Sequence, residues 1–219
     1  MSSILMLYII AIAAAVSVVW FFHIRRVMLM RMRGLVSLLE RSFRPRDTQY
    51  MLLGYLVGFR AEYLLGDGPA SRAWILYTTP PYHVFFYLPV ISLGKRREKL
   101  EITLRLRSPL PGEAHIYDPG DRGVVRAVVA DTAGAGRRLY RGTVSIAGRE
   151  LEALYSGDIA LAKAKSLFEE LVAAGVDVRR VSIVDRLHAL HVSVVPQLDT
   201  VEELVKRVMG FAGELQSSR

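Results

Sequence analysis

The stretch "ILMLYIIAIAAAVSVVWFF", Ile4–Phe22, decides how the rest of the chain is read. It holds nineteen residues without a charge, and at ~1.5 Å per residue it reaches about the ~30 Å of a bilayer core. A cleaved leader would begin with a positive segment and carry a shorter apolar run. Here only Met1, Ser2 and Ser3 precede the run. A soluble amphipathic helix would show polar positions at helical spacing, and Ser17 alone makes no polar face. Trp20, Phe21 and Phe22 cluster at the C-terminal end, as an interfacial aromatic belt does. The stretch therefore reads as an uncleaved transmembrane anchor over residues 1–23.

Charge sets its direction. The α-amino group is the only positive charge before the run; Arg25, Arg26, Arg31 and Arg33 follow it, then Arg41, Arg44 and Arg46. The positive-inside rule places the N-terminus outside and everything after His23 in the cytoplasm. Residues 24–46 read as a basic juxtamembrane helix whose arginines snorkel to headgroups, bent near Gly34 and broken at Pro45. The membrane-interface residues are thus Trp20, Phe21, Phe22, Arg25, Arg26, Arg31 and Arg33.

The remainder, 47–219, has the length of one domain. The formal charge of +8 is uneven: residues 1–149 carry 21 Lys and Arg against 10 Asp and Glu, and residues 150–219 carry 8 against 11. A basic excess beside an anchor points to lipid headgroups, RNA or an acidic protein surface. The absence of cysteine excludes disulfides, thiolate catalysis and cysteine-bound zinc. Asparagine is also absent and glutamine occurs three times, a depletion that fits a thermophilic source.

"YMLLGYLVGFRAEYLL" (50–65) is too short for a second span and reads as a buried strand or helix. "AWILYTTPPYHVFFYLPVISL" (73–93) reads as two strands around Thr79-Pro80-Pro81, or as an interfacial loop dipping into lipid. "EKLEITLRLRS" (98–108) alternates apolar and polar residues as a half-buried strand does, and "GVVRAVVAD" (123–131) reads as another strand. After a strand at "RELEALYSG", Asp158 begins a helix that Gly175 ends. "VRRVSIVD" and "LHALHVSVV" form a hairpin, and Thr200 with Glu203 matches a capping box for a last helix. The fold class is therefore α+β, an antiparallel sheet behind one transmembrane helix, with a C-terminal β-α-β-β-α order of ferredoxin-like type.

Catalytic signals are sparse. His188 and His191 point to opposite faces of a strand, which argues against a shared metal. "HVSV" (191–194) matches half of the paired motif of two-histidine phosphoesterases, but "HVFF" at His83 and "HIYD" at His115 lack the serine. "DTAGAGRR" (131–138) has neither P-loop nor dinucleotide spacing and reads as a hairpin loop. No metal, cofactor or small-molecule substrate is expected, and the chain reads as a non-enzyme. The basic clusters Lys95-Arg96-Arg97 with Lys99, and Arg137-Arg138 with Arg141, are the candidate contacts to a partner, RNA or lipid.

Three stretches, "LVSLLERSF", "LGKRREKLEITLRLRSPLPGEAHIY" and "RRVSIVDRLHALHVSVVPQLDTVEELVKRVMGF", resemble the calumin family, the coiled-coil-domain subunits of a membrane-insertion chaperone complex. The resemblance spans about a third of the chain and carries no signature motif. It implies a prokaryotic, archaeal relative acting at the Sec translocon, beside the ribosome or an insertase of the Oxa1 type. The family's acidic lumenal region and long coiled-coil tail have no counterpart here, which leaves any ribosome contact to Lys95–Arg97. Two other functions compete: a scaffold subunit of another membrane complex, and a tethered phosphoesterase-like enzyme using His191 and Ser193.

Overall fold

In a computed structural model, which describes residues 2–93, 97–133 and 138–217, one helix accounts for the first fifth of the chain. This helix, α1 (Ser2–Phe43), runs unbroken for 42 residues, about 63 Å. The expected division at residue 23 and bend at Gly34 are not breaks in it. The positive φ of Arg44, where its N–H closes on the Glu40 carbonyl, and then Pro45 end the helix.

Among the described residues nine strands follow: β1 (Asp47–Leu52), β2 (Gly58–Leu64), β3 (Ala70–Thr78), β4 (Lys99–Leu106), β5 (Ala114–Tyr117), β6 (Tyr140–Ile146), β7 (Arg149–Tyr155), β8 (Asp177–Val184) and β9 (Ala189–Val195). They form one antiparallel sheet in the order β1-β2-β3-β4-β9-β8-β5-β7-β6. Between them lie α2 (Leu88–Leu93), α3 (Arg122–Thr132), α4 (Asp158–Ala173) and, at the end, α5 (Val201–Ser217). The class is α+β, as the pattern implied.

Alternation divides the sheet into two faces. Leu100, Ile102, Leu104, Val192 and Val194 point to the core beneath α1, α4 and α5, while Lys99, Glu101, Thr103 and Arg105 point to the other side. On α1 the buried residues Met28, Met32, Leu35, Leu39 and Phe43 recur every three or four positions, one stripe of the helix, and α5 packs on it. Leu39 is wholly buried. The same rigid helix is thus bare in its first half and core in its second.

Several sequence readings need correction. The 50–65 stretch is a hairpin, because Gly54 and Leu56 adopt positive φ between β1 and β2. The segment after Pro81 forms no second strand: a 3-10 turn (Phe85–Tyr87) leads into α2, with Pro89 in its first turn where a missing N–H costs nothing. "GVVRAVVAD" is helical despite its valines. The Asp121 carboxylate accepts from the N–H groups of Gly123 (2.9 Å) and Val124 (3.2 Å), and Val124 and Val128, one turn apart, pack on Tyr117 and Leu154. Asp131 therefore ends a helix and does not belong to a hairpin loop; β6, which the sequence reading left unassigned, follows the 134–137 segment. The expected β-α-β-β-α order is present as β7-α4-β8-β9-α5, but β5 fills the place between β7 and β8, and β9 lies outside β8. A ferredoxin-like ladder would set the last strand of that series between the first two.

Candidate functional site

Two regions hold groups that can meet something outside the fold: the junction where α1 leaves the domain, and the sheet face opposite the helices.

At the junction, the strand registers put the ends Leu52, Gly58, Thr78 and Lys99 at one edge of the sheet and Leu64, Leu106 and His188 at the other. The β1–β2 tip and the β3–β4 connection, which contains α2, both emerge on the first edge and close around α1. The Trp20 indole N–H donates to the Tyr82 carbonyl at 2.9 Å, and its ring meets Phe85 edge-on at 5.9 Å. Phe21 stacks on Tyr55 with ring centres 5.8 Å apart and meets the edge of His83 at 6.3 Å. The Arg25 guanidinium lies 6.0 Å from the Tyr55 ring centre. Phe22, Arg26 and Arg33 are exposed. Arg31 turns inward to the carboxylate of Glu98 at 2.9 Å, which also accepts from the Tyr77 hydroxyl at 3.0 Å. Burial first, then Glu98, drives the Tyr77 phenol above its ordinary value. Tyr55, His83 and Phe85 were not singled out as interface residues from the sequence. The available signal was the lack of Lys, Arg, Asp or Glu over 48–59 and 73–94.

The expected partner-binding cations divide three ways. Lys95, Arg96 and Arg137 lie outside the described residues. Arg97 faces Asp177 at 3.6 Å, Lys99 bonds Glu101 at 2.6 Å, and Arg141 bonds Glu152 at 2.8 Å, so each has a carboxylate beside it. Arg138 lines an open cleft of about 520 Å³ with Gly112, Ser156 and Asp185. The cleft sits at the second edge of the sheet, about 25 Å along β4 from the junction at ~3.3 Å per residue.

On the sheet face opposite the helices, register alignment builds two polar rows across β4, β9, β8 and β5. One is Thr103–His191–Ser182–His115, the other Glu101–Ser193–Arg180–Tyr117. His191 Nδ1 pairs with the Thr103 hydroxyl at 2.8 Å, and His115 Nε2 with Glu113 at 3.1 Å. Arg180 is 3% exposed and donates to Ser182 Oγ at 2.7 Å and to Asp131 of α3 at 2.6 Å. Burial, then the Arg180 charge, holds both histidines below the ordinary value of 6.5, and His191 well below it; for His115, Glu113 offsets part of the depression. Among the described residues, His191 Nε2, His115 Nδ1 and Ser193 Oγ are buried atoms without a hydrogen-bond partner.

His191 and Ser193 therefore do share a face, two residues apart, with His115 two strands away. Ser193, Ser182 and His115 are fully buried, while Thr103 and His191 keep partial exposure. Among the described residues no three His, Asp or Glu side chains gather as metal ligands. No protein-family model matches the chain and no curated protein matches it.

Proposed function

We propose that this chain is a non-enzymatic, single-span membrane protein, N-terminus outside, whose cytosolic α+β domain binds a partner complex. The setting we favour is membrane-protein insertion at the Sec translocon or an Oxa1-type insertase, near the ribosome, as the resemblance to the calumin family implies. One observation carries the reading. A single helix, long and apolar enough to cross a membrane, is bare over its first half and belongs to the domain core over its second. Such a helix is a rigid post and holds the domain at a fixed depth relative to the bilayer. The second edge of the sheet, with Arg138 and its open cleft, then points away from the lipid toward partners.

A tethered enzyme would draw on His191, Ser193 and Arg180. The burial of Ser193 and Arg180, and the hydrogen bonds that Thr103 makes with His191 and Asp131 with Arg180, support a structural role instead.

The test is purification of the tagged protein from its native membranes in mild detergent, with co-eluting proteins identified at low and high salt. Insertion predicts translocon, insertase or ribosomal components at low salt, the ribosomal ones lost steeply as salt rises because phosphate contacts are screened. A salt-indifferent complex without them would identify a scaffold of another assembly and overturn the insertion setting.

A further inference from the structure

We infer that the domain is partly immersed in the bilayer: the β1–β2 tip and the 84–93 segment form an apolar collar around α1 that sits in the interfacial layer of the lipid. The inference rests on α1 being a transmembrane helix.

The first argument is length. The freely exposed part of the apolar run, Ile4–Val19, is sixteen residues, about 24 Å of helix against a hydrocarbon core of about 30 Å. The missing ~6 Å corresponds to the next four residues or so, which brings the core boundary to the level of Trp20–His23. That level is where Tyr55, His83 and Phe85 pack against α1. A bilayer of ordinary thickness matched to this run reaches the collar.

The second argument is what the collar exposes. Leu52 is 76% exposed, Phe86 69% and Leu93 84%, with Met51, Val84 and Val90 also open. Stranded in water, these side chains would form an apolar patch of the kind that marks a membrane or protein contact. They belong to the two connections whose Tyr55, His83 and Phe85 pack on α1, so lipid around α1 lies close to them. Among charged groups, Arg25 stands over Tyr55 and Arg26 is exposed one residue on, the placement that lets guanidinium groups reach headgroups from just above an immersed layer. The Trp20 N–H is taken by the Tyr82 carbonyl, so this donor needs no water at that depth.

The test exploits the absence of cysteine. Single cysteines at Leu52, Phe86, Ile12 and Leu187 are labelled with an environment-sensitive fluorophore in the full chain. Each protein is reconstituted into vesicles of phosphatidylcholine and phosphatidylglycerol in a three-to-one ratio. Quenching is then compared for aqueous iodide, for lipid with a nitroxide near the headgroup, and for lipid with a nitroxide deep in the acyl chain. Ile12 reports the span, and Leu187, exposed at the far edge of the sheet, reports water. The collar predicts that Leu52 and Phe86 are quenched most by the shallow nitroxide and several-fold less by iodide than Leu187. Leu52 and Phe86 behaving like Leu187, with Ile12 quenched by the deep nitroxide, overturns the collar and leaves the anchor standing. Shielding of Leu52 and Phe86 from all three quenchers means that a second protein copy covers them, and also overturns it. An Ile12 label that no lipid nitroxide reaches removes the anchor and the collar together.

Discussion

The two buried neutral histidines make the domain acid-sensitive in a window that carboxylates do not share. Above about pH 6.5, His115 and His191 are neutral in both folded and unfolded chains and contribute no pH dependence. As pH falls through that value the unfolded chain takes up both protons, while the folded chain, its histidines held lower by burial and by Arg180, does not. Stability then falls by about 1.4 kcal/mol per pH unit for each histidine, until the folded-state value of that histidine is reached. Two histidines give about 2.7 kcal/mol per unit, a large share of a total near 5–15 kcal/mol.

Asp118 acts in the same direction, but at lower pH. Burial raises it, but the Gly120 N–H, Arg179 and Arg149 outweigh burial and hold it below 3.8, so its contribution is kept down to that value and lost only beneath it. The interval between about pH 6.5 and 5 therefore reports the histidines alone. The assay is urea unfolding of the full chain in detergent at several pH values in that interval, followed by Trp74 fluorescence. His191→Gln, which keeps a hydrogen-bonding partner for Thr103 but cannot titrate, should remove about one proton, half of the slope. A stability that stays flat from pH 7 to 5, or a slope unchanged by His191→Gln, would refute the placement of neutral imidazoles in the sheet.

Two further perturbations test the junction. At Gly58 φ is +146°, and an added Cβ would lie 1.9 Å from the Tyr77 carbonyl oxygen, so Gly58→Ala must separate β2 from β3. A loss of about 3 kcal/mol is expected, read as a lowered thermal midpoint; a midpoint within a degree or two of the parent would show that the strands do not approach as described. Arg31→Met leaves the Glu98 carboxylate, 8% exposed, with the Tyr77 hydroxyl as its one partner among the described residues. The cost should be on the order of 2 kcal/mol, below that of a fully buried pair because the Arg31 side chain is 41% exposed. Adding Glu98→Gln should recover most of that loss, and a double variant as weak as the single would sink the coupling.

The sequence by itself was enough for the apolar helix, the half-buried β4, the β8–β9 hairpin, the helix between Asp158 and Gly175 and the α+β class. Each of these is a local signal: an uncharged run, a period of two, a turn, or a glycine with φ of +80° just past a helix end. It misassigned 123–131, and of its two readings for 84–93 the strand fails, because valine and phenylalanine favour strands only where a neighbouring strand receives them. In those segments the Asp121 cap, the first-turn Pro89 and packing on Tyr117 and Trp20 were stronger. Tertiary structure alone decided that β5 sits between β7 and β8, since which strands pair depends on contacts far apart in sequence. It alone turned His191, Ser193, His115 and Arg180 from scattered residues into adjoining rows on one face. The same holds for the collar. Residues near 21, 55 and 83 meet only because two connections emerge at one edge of the sheet and α1 passes between them, and no periodicity along the chain records a meeting of that kind.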